Sequence, residues 1–161
     1  MAAGRQNGYS LIELILVLVL AGVLSAAAVG IFASRDSYDR RIIVDHWLGV
    51  FQQARQVSLS RSSDAAVGLV ISQLGDQWLA SLSADQGVVL SQTLERGGLS
   101  LLIGRRLAAG CSDLPSLPTT ILFDGNGQLV PYQPLQLCVL SSPPIQLCVS
   151  ASGYAYEGSC L

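Results

Sequence analysis

The stretch GYSLIELILVLVLAGVLSAAAVGIFA, residues 8–33, decides how the rest of the chain is read. Residues 14–33 carry no charge, and Gly22, Ser25 and Gly30 are the breaks in an otherwise apolar run. About 20 apolar residues rising about 1.5 Å each match the hydrocarbon thickness of a bilayer, so the sequence predicts a membrane-spanning helix over residues 9–33. Glu13 stands inside this segment, preceded by Leu11 and Ile12, and not on its flank. A carboxylate at that depth costs a few kcal/mol unless it has a partner, which makes Glu13 a candidate functional residue.

Past residue 33 the apolar pattern becomes one-sided. Ile43, Trp47, Val50, Ala54 and Val57 recur at spacings of four and three, while Arg40, Asp45, Gln52 and Arg55 fall largely elsewhere. The pattern predicts an amphipathic continuation of the helix over residues 34–62, ending near Ser62-Ser63-Asp64 and lying against a globular domain. A helix from about residue 9 to residue 61 would be roughly 80 Å long. Gly22 and Gly30 each weaken it by about 1 kcal/mol relative to alanine, either loosening the helix locally or letting small residues pack closely.

From residue 63 onward, short apolar runs alternate with Gly, Pro, Ser and Asp. Residues 67–71, 77–82, 88–92, 99–103, 120–123, 136–140, 145–150 and 154–156 read as strands. Turns are signalled by Gly75-Asp76, Gly97-Gly98, Gly125-Asn126-Gly127 and Pro143-Pro144. The expected fold class is α+β, a long N-terminal helix packed on an antiparallel β-sheet domain at residues 63–161.

Composition narrows the function. Of 161 residues half are hydrophobic and 12% are charged, which leaves room for one small domain beyond the helix. The basic residues are arginines without a single lysine, the net charge is −2, and residues 107–161 contain no Arg, Lys or His. Attraction to nucleic acid or to anionic lipid therefore has little to work with. Cys111, Cys138, Cys148 and Cys160 form no C-x-x-C pair and lie far from the lone His46, so the usual zinc-ligand spacing is absent. An even count behind a membrane anchor predicts two disulfides formed outside the cytoplasm, the alternative being four buried thiols. A hairpin turning at Pro143-Pro144 would set Cys138 beside Cys148 and leave Cys111 for Cys160, while the two other pairings stay open.

No catalytic centre, metal site or cofactor is indicated. His46 has no Ser or Cys constellation beside it, and a general base needs a partner within reach. Asp124-Gly125-Asn126-Gly127 begins like a calcium loop, but Leu129 and Leu135 stand where an EF-hand needs glycine and glutamate. A hairpin turn accounts for the same residues, and Arg105-Arg106 reads as surface charge.

Gly8-Tyr9-Ser10-Leu11-Ile12-Glu13-Leu14, after a short polar leader with Arg5, resembles the type IV prepilin processing signal, with Tyr9 in place of the commoner Phe. The resemblance implies that prepilin peptidase removes residues 1–8 at the cytoplasmic face and methylates the new amine on Tyr9. It also implies that Glu13 pairs with an N-terminal ammonium as the subunit leaves the bilayer for a filament, where opposite charges attract strongly and each alone is costly. A secretory signal cut near residues 26–28 and a plain membrane anchor are competing readings. The first expects a shorter run without an acid, and the second leaves Glu13 and Gly8-Tyr9 unexplained. Arg35, Arg40 and Arg41 after the span against Arg5 before it would by charge alone favour the opposite orientation. The periplasmic placement of the β-rich domain rests on the resemblance and the cysteines.

Ile121-x-Phe123-x-x-x-Gly127, the strand near Cys148 and Ser152-Gly153-Tyr154 are similar to the closing pattern of the H-type minor pseudopilins and the FimT pilins. Length and shape also resemble the minor pilins of the mannose-sensitive haemagglutinin (MSHA) pilus. These likenesses imply a non-enzymatic, single-pass inner-membrane subunit that primes, caps or joins a type IV, MSHA-like pilus. Its implied partners are other pilin subunits, the inner-membrane assembly platform and prepilin peptidase. An H-type pseudopilin of a type II secretion filament is the alternative, and a membrane-anchored adhesin or ligand-binding module would have no use for Glu13. Some FimT pilins bind DNA through arginines after the last glycine of this pattern. Here Gly153 is followed by Tyr154-Ala155-Tyr156-Glu157, so phosphate-neutralising charge is missing and no nucleic-acid partner is expected.

Overall fold

A computed structural model describes residues 10–32, 35–61, 66–84, 87–105 and 111–160, with side chains at 27–32, 35–39 and 112 not described. Gly8, Tyr9, the Ser62-Ser63-Asp64 helix end and Arg106 lie outside the described residues. The chain divides into two units, residues 1–39 and 40–161.

In the first unit Leu11–Phe32 forms α1, whose 22 residues span about 33 Å. Its large apolar side chains are exposed from Leu11 through Leu24 and occupy every side of the helix. Apolar residues around the full circumference suit an apolar surrounding and not water. Among the described residues no helix is long and apolar enough to cross a membrane, the side chains of α1 being described only as far as Ala26.

A second helix, α2 (Arg35–Leu59), enters the second unit at Arg40. The helix expected over residues 9–61 is thus described in two pieces, residues 33 and 34 lying outside the described residues. The expected face of α2 is buried at Ile43, Trp47, Val50 and Ala54, while Val57 is half-buried. Val44, Phe51 and Ser58 widen that face, because a helix against a two-sheet core buries more than one a/d stripe. At its end Ser58 and Ser60 hydroxyls donate to the carbonyls of Arg55 and Val57, turning the last backbone acceptors inward.

Nine strands are described: β1 (Val67–Leu74), β2 (Gln77–Ala84), β3 (Gly87–Glu95), β4 (Ser100–Gly104), β5 (Thr119–Phe123), β6 (Leu129–Val130), β7 (Leu135–Leu140), β8 (Ile145–Val149) and β9 (Ala155–Glu157). They form two antiparallel sheets, ordered β3-β2-β1-β5-β6 and β4-β7-β8-β9. The fold class is α+β, as the sequence implies, with two sheets where the strand pattern alone suggested one. Gly75, at φ +60°, turns β1 into β2 through a two-residue loop, the geometry that follows the twist of a hairpin. Alternate residues of β2, Trp78, Ala80, Leu82 and Ala84, then face the core.

The core joins the buried face of α2 to the inner faces of both sheets. Trp47 of α2 meets Trp78 of β2 with ring centroids 6.0 Å apart. In β7 every residue but the last is buried, since both of its faces are covered. Leu135, Leu137 and Val139 face the main core, and Cys138 lies in a second small cluster with Cys111 and Leu114. That cluster belongs to a strap running from a short 3-10 turn at Cys111–Asp113 to Ser116, which bridges Leu102, while Ile103 donates to the Pro115 carbonyl. Arg40 fastens the other end of the sheet, donating to the Pro143 carbonyl and to the Ser141 hydroxyl in the β7–β8 connection.

Candidate functional site

The N-terminal motif opens α1 directly. Ser10 is its N-cap: its carbonyl accepts from the amides of Glu13 and Leu14, and its hydroxyl from the amide of Ile12 at 3.2 Å. Glu13 is the third helical residue, so Ser10-x-x-Glu13 has the spacing of a capping box. An acid in the first turn also faces the positive end of the helix dipole.

A second constellation closes the β-rich unit. Asp124 folds the β5–β6 hairpin by accepting from the amides of Asn126 and Gln128 at 2.9 and 2.8 Å, so this carboxylate makes a turn. Ser150 shapes the β8–β9 turn by accepting from Gly153 and Tyr154 amides. The two turns meet at Gly127 and Gly153, whose φ angles are +74° and +77°. A Cβ on Gly153 would stand 1.9 Å from the Gly127 carbonyl oxygen, and one on Gly127 would stand 2.9 Å from Cγ of Arg55. The glycines of the closing pattern are required because two backbones and an arginine stem converge there. Arg55, which the sequence pattern assigned to the outer side of the helix, is half-buried at this corner.

All four cysteines are in disulfides, but the pairing is Cys111–Cys138 and Cys148–Cys160, with Cα separations of 5.6 and 5.1 Å. This corrects the expected Cys138–Cys148 and Cys111–Cys160. The β7–β8 register sets Val139 opposite Ile145, which centres the connection on Ser142, and pairs Cys138 with Gln146 and Cys148 with Gln136. A bond between Cys138 and Cys148 needs the centre one residue later. Off by two positions, the cysteines are diagonal neighbours about 7–8 Å apart, well beyond the roughly 4 Å between Cβ atoms that a disulfide allows.

His46 lies edge-on to Trp47 with centroids 5.5 Å apart, and burial pushes its pKa below the ordinary value. Stability from this neutral imidazole is present above the unfolded-state pKa and declines as pH falls below it.

Residues 4–29 match the family model of the prokaryotic N-terminal methylation motif. The fold is similar to that of the type IV minor pilin FimU of Pseudomonas aeruginosa strain PAO1 in two crystal forms. For one form the TM-score is 0.56 at 15% identity, covering 79% of this chain and 92% of that one. For the other it is 0.50 at 14% identity, covering 73% and 91%. The chain carries the N-terminal methylation motif and shares the fold of a type IV minor pilin. No curated protein matches it in sequence. In pilin-like terms the α1 start is the motif-bearing end, and the corner of Gly127, Gly153 and Arg55 closes the head.

Proposed function

We propose that the protein is a minor pilin, a non-enzymatic subunit that assembles with other pilins into a type IV filament. The observation that carries this reading is Glu13, an acid in the first turn of an otherwise apolar and exposed helix, within a matching methylation motif. In this reading residues 1–8 are a leader removed by prepilin peptidase, and Tyr9 becomes the methylated N-terminus. Residues 9–33 cross the inner membrane before assembly, residues 34–62 continue the helix, and residues 63–161 fold in the periplasm, where disulfides form. The subunit leaves the membrane through an inner-membrane assembly platform and primes, caps or joins an MSHA-like pilus.

The physical role of Glu13 follows from charge in an apolar surrounding. Inside a filament core its carboxylate is tolerated only against a cation, and the nearest kind of cation on a neighbouring subunit is the N-terminal ammonium exposed by cleavage. Glu13→Val is expected to leave the chain in the membrane and to lower its recovery in sheared filaments at least tenfold. Mass spectrometry of the same fractions should find the wild-type chain beginning at a methylated Tyr9. Equal recovery of the variant, or a mature end near residue 29, overturns the reading. Recovery in pilus filaments or in secretion filaments also separates the pilus from the type II secretion alternative.

A further inference from the structure

Among the described residues, the corner where the closing glycines meet holds one cation, Arg55, with no counter-ion. Arg55 lines a groove of about 190 Å³ with Gln52 and Gln56 of α2 on one side and Gly153, Tyr154 and Ala155 on the other. Among the described residues its buried Nε has no hydrogen-bond partner and its guanidinium makes no ion pair. The acid closest in sequence to the groove wall, Glu157, is engaged by Arg41 at 3.6 Å. The arginine stem is held in place: its Cγ and Cδ lie 2.9 and 3.4 Å from where Cβ atoms on Gly127 and Gly153 would be. A desolvated donor with nothing to donate to is costly, and the cost is recovered when an acceptor enters.

We propose that this groove is a receptor for a carboxylate, the side chain of an Asp or Glu on a neighbouring filament subunit; the occupant's identity rests on the minor-pilin reading. A guanidinium presents paired N–H donors in a plane, which a carboxylate meets with two oxygens. Gln52 and Gln56, exposed and one turn apart, add amide donors beside it. Tyr154, 56% exposed, forms an aromatic wall to the groove. A polyphosphate strand is a poorer occupant, because neutralising several phosphates needs several cations and no basic residue follows position 106. A single carboxylate fits better, since one guanidinium neutralises one charge.

The groove is tested on the full chain in detergent micelles with 15N-labelled arginine, reading the Arg55 Nε–H resonance. The probe is N-acetyl-glutamate methylamide, with the glutamine analogue as its neutral isostere. The expected result is a saturable shift in the millimolar range, at least tenfold weaker with the glutamine analogue. In Arg55→Met, which keeps a stem over the glycines, tryptophan near-UV circular dichroism should be unchanged, and residual binding of the glutamate probe should be at least tenfold weaker. No saturable shift, equal shifts from the two probes, or Arg55-dependent binding of a DNA oligonucleotide tighter than the glutamate probe overturns the proposal. The neighbouring subunit as donor is tested in sheared filaments, where Arg55→Met should lower recovery at least threefold, and wild-type recovery of the variant overturns that occupant. Absence of the wild-type chain itself from filaments rejects the minor-pilin reading, while the titration still decides the groove.

Discussion

Gly153→Ala should cost about 3–5 kcal/mol, enough to unfold much of the β-rich unit at moderate urea. Two independent penalties add. At φ +77° a Cβ is strained by roughly 1–2 kcal/mol on backbone grounds alone. The new methyl would also stand 1.9 Å from the Gly127 carbonyl oxygen, a backbone atom that cannot rotate away. Relief requires the β5–β6 and β8–β9 turns to separate, which breaks the Leu129 amide to Ala151 carbonyl bond at 2.9 Å and lifts Arg55 off its glycine floor. The measurement is a urea titration of the full chain in micelles, followed by fluorescence of Trp47 and Trp78, which are buried in the core. A loss below about 1 kcal/mol would mean that the corner does not hold the turns together.

The second large effect is expected from the Cys111–Cys138 bond. The bridge spans 27 residues and the Cys148–Cys160 bridge spans 12, for which loop entropy gives about 3.5 and about 3 kcal/mol. Replacing Cys111 and Cys138 together by alanine also loosens the strap over β7, so this pair should lower stability more than the same change at Cys148 and Cys160. Urea midpoints of the two double variants compare them directly. Non-reducing peptide mapping of the wild-type chain should recover Cys111 linked to Cys138. A peptide joining Cys138 to Cys148 would instead mean that the β7–β8 register is shifted by one residue at its turn.

Much of this fold was legible because its periods are local. Eight of the strands announce themselves by alternation between turn residues, and the α2 face by threes and fours. The missing strand, β6, is two residues long between Gly127 and Pro131 and has no room for a period. Val44 and Phe51 escaped because the width of a buried face depends on how many sheets a helix meets, which is a tertiary fact. The disulfide pairing failed on a single residue: two prolines marked the turn, but its centre is Ser142, and a shift of one in the centre moves each partner by two. Glu13 was legible because charge within an apolar run is conspicuous in any fold. Arg55 was not, since its burial is created by glycines some 70 and 100 residues further along the chain. Chemistry made by long-range convergence leaves no mark in its own neighbourhood.

The two disulfides have a mechanical meaning once the chain is considered under tension. A pull transmitted along the backbone from α2 toward the C-terminus would, without them, pay out every residue between Cys111 and Cys160 as slack. Each bridge short-circuits its loop, and the 27 and 12 residues enclosed cannot lengthen until sulfur–sulfur bonds are cut. At about 3.4 Å per extended residue this withholds roughly 130 Å of extension from the molecule. β5 and β6 lie within the Cys111–Cys138 loop and are held with it, so in the sheet of β3, β2, β1, β5 and β6 the β1–β2 and β2–β3 hairpins, outside both loops, are the ones that can run out under load. A tether carrying this head would therefore yield first on the side of β1 to β3 and stop short on the other.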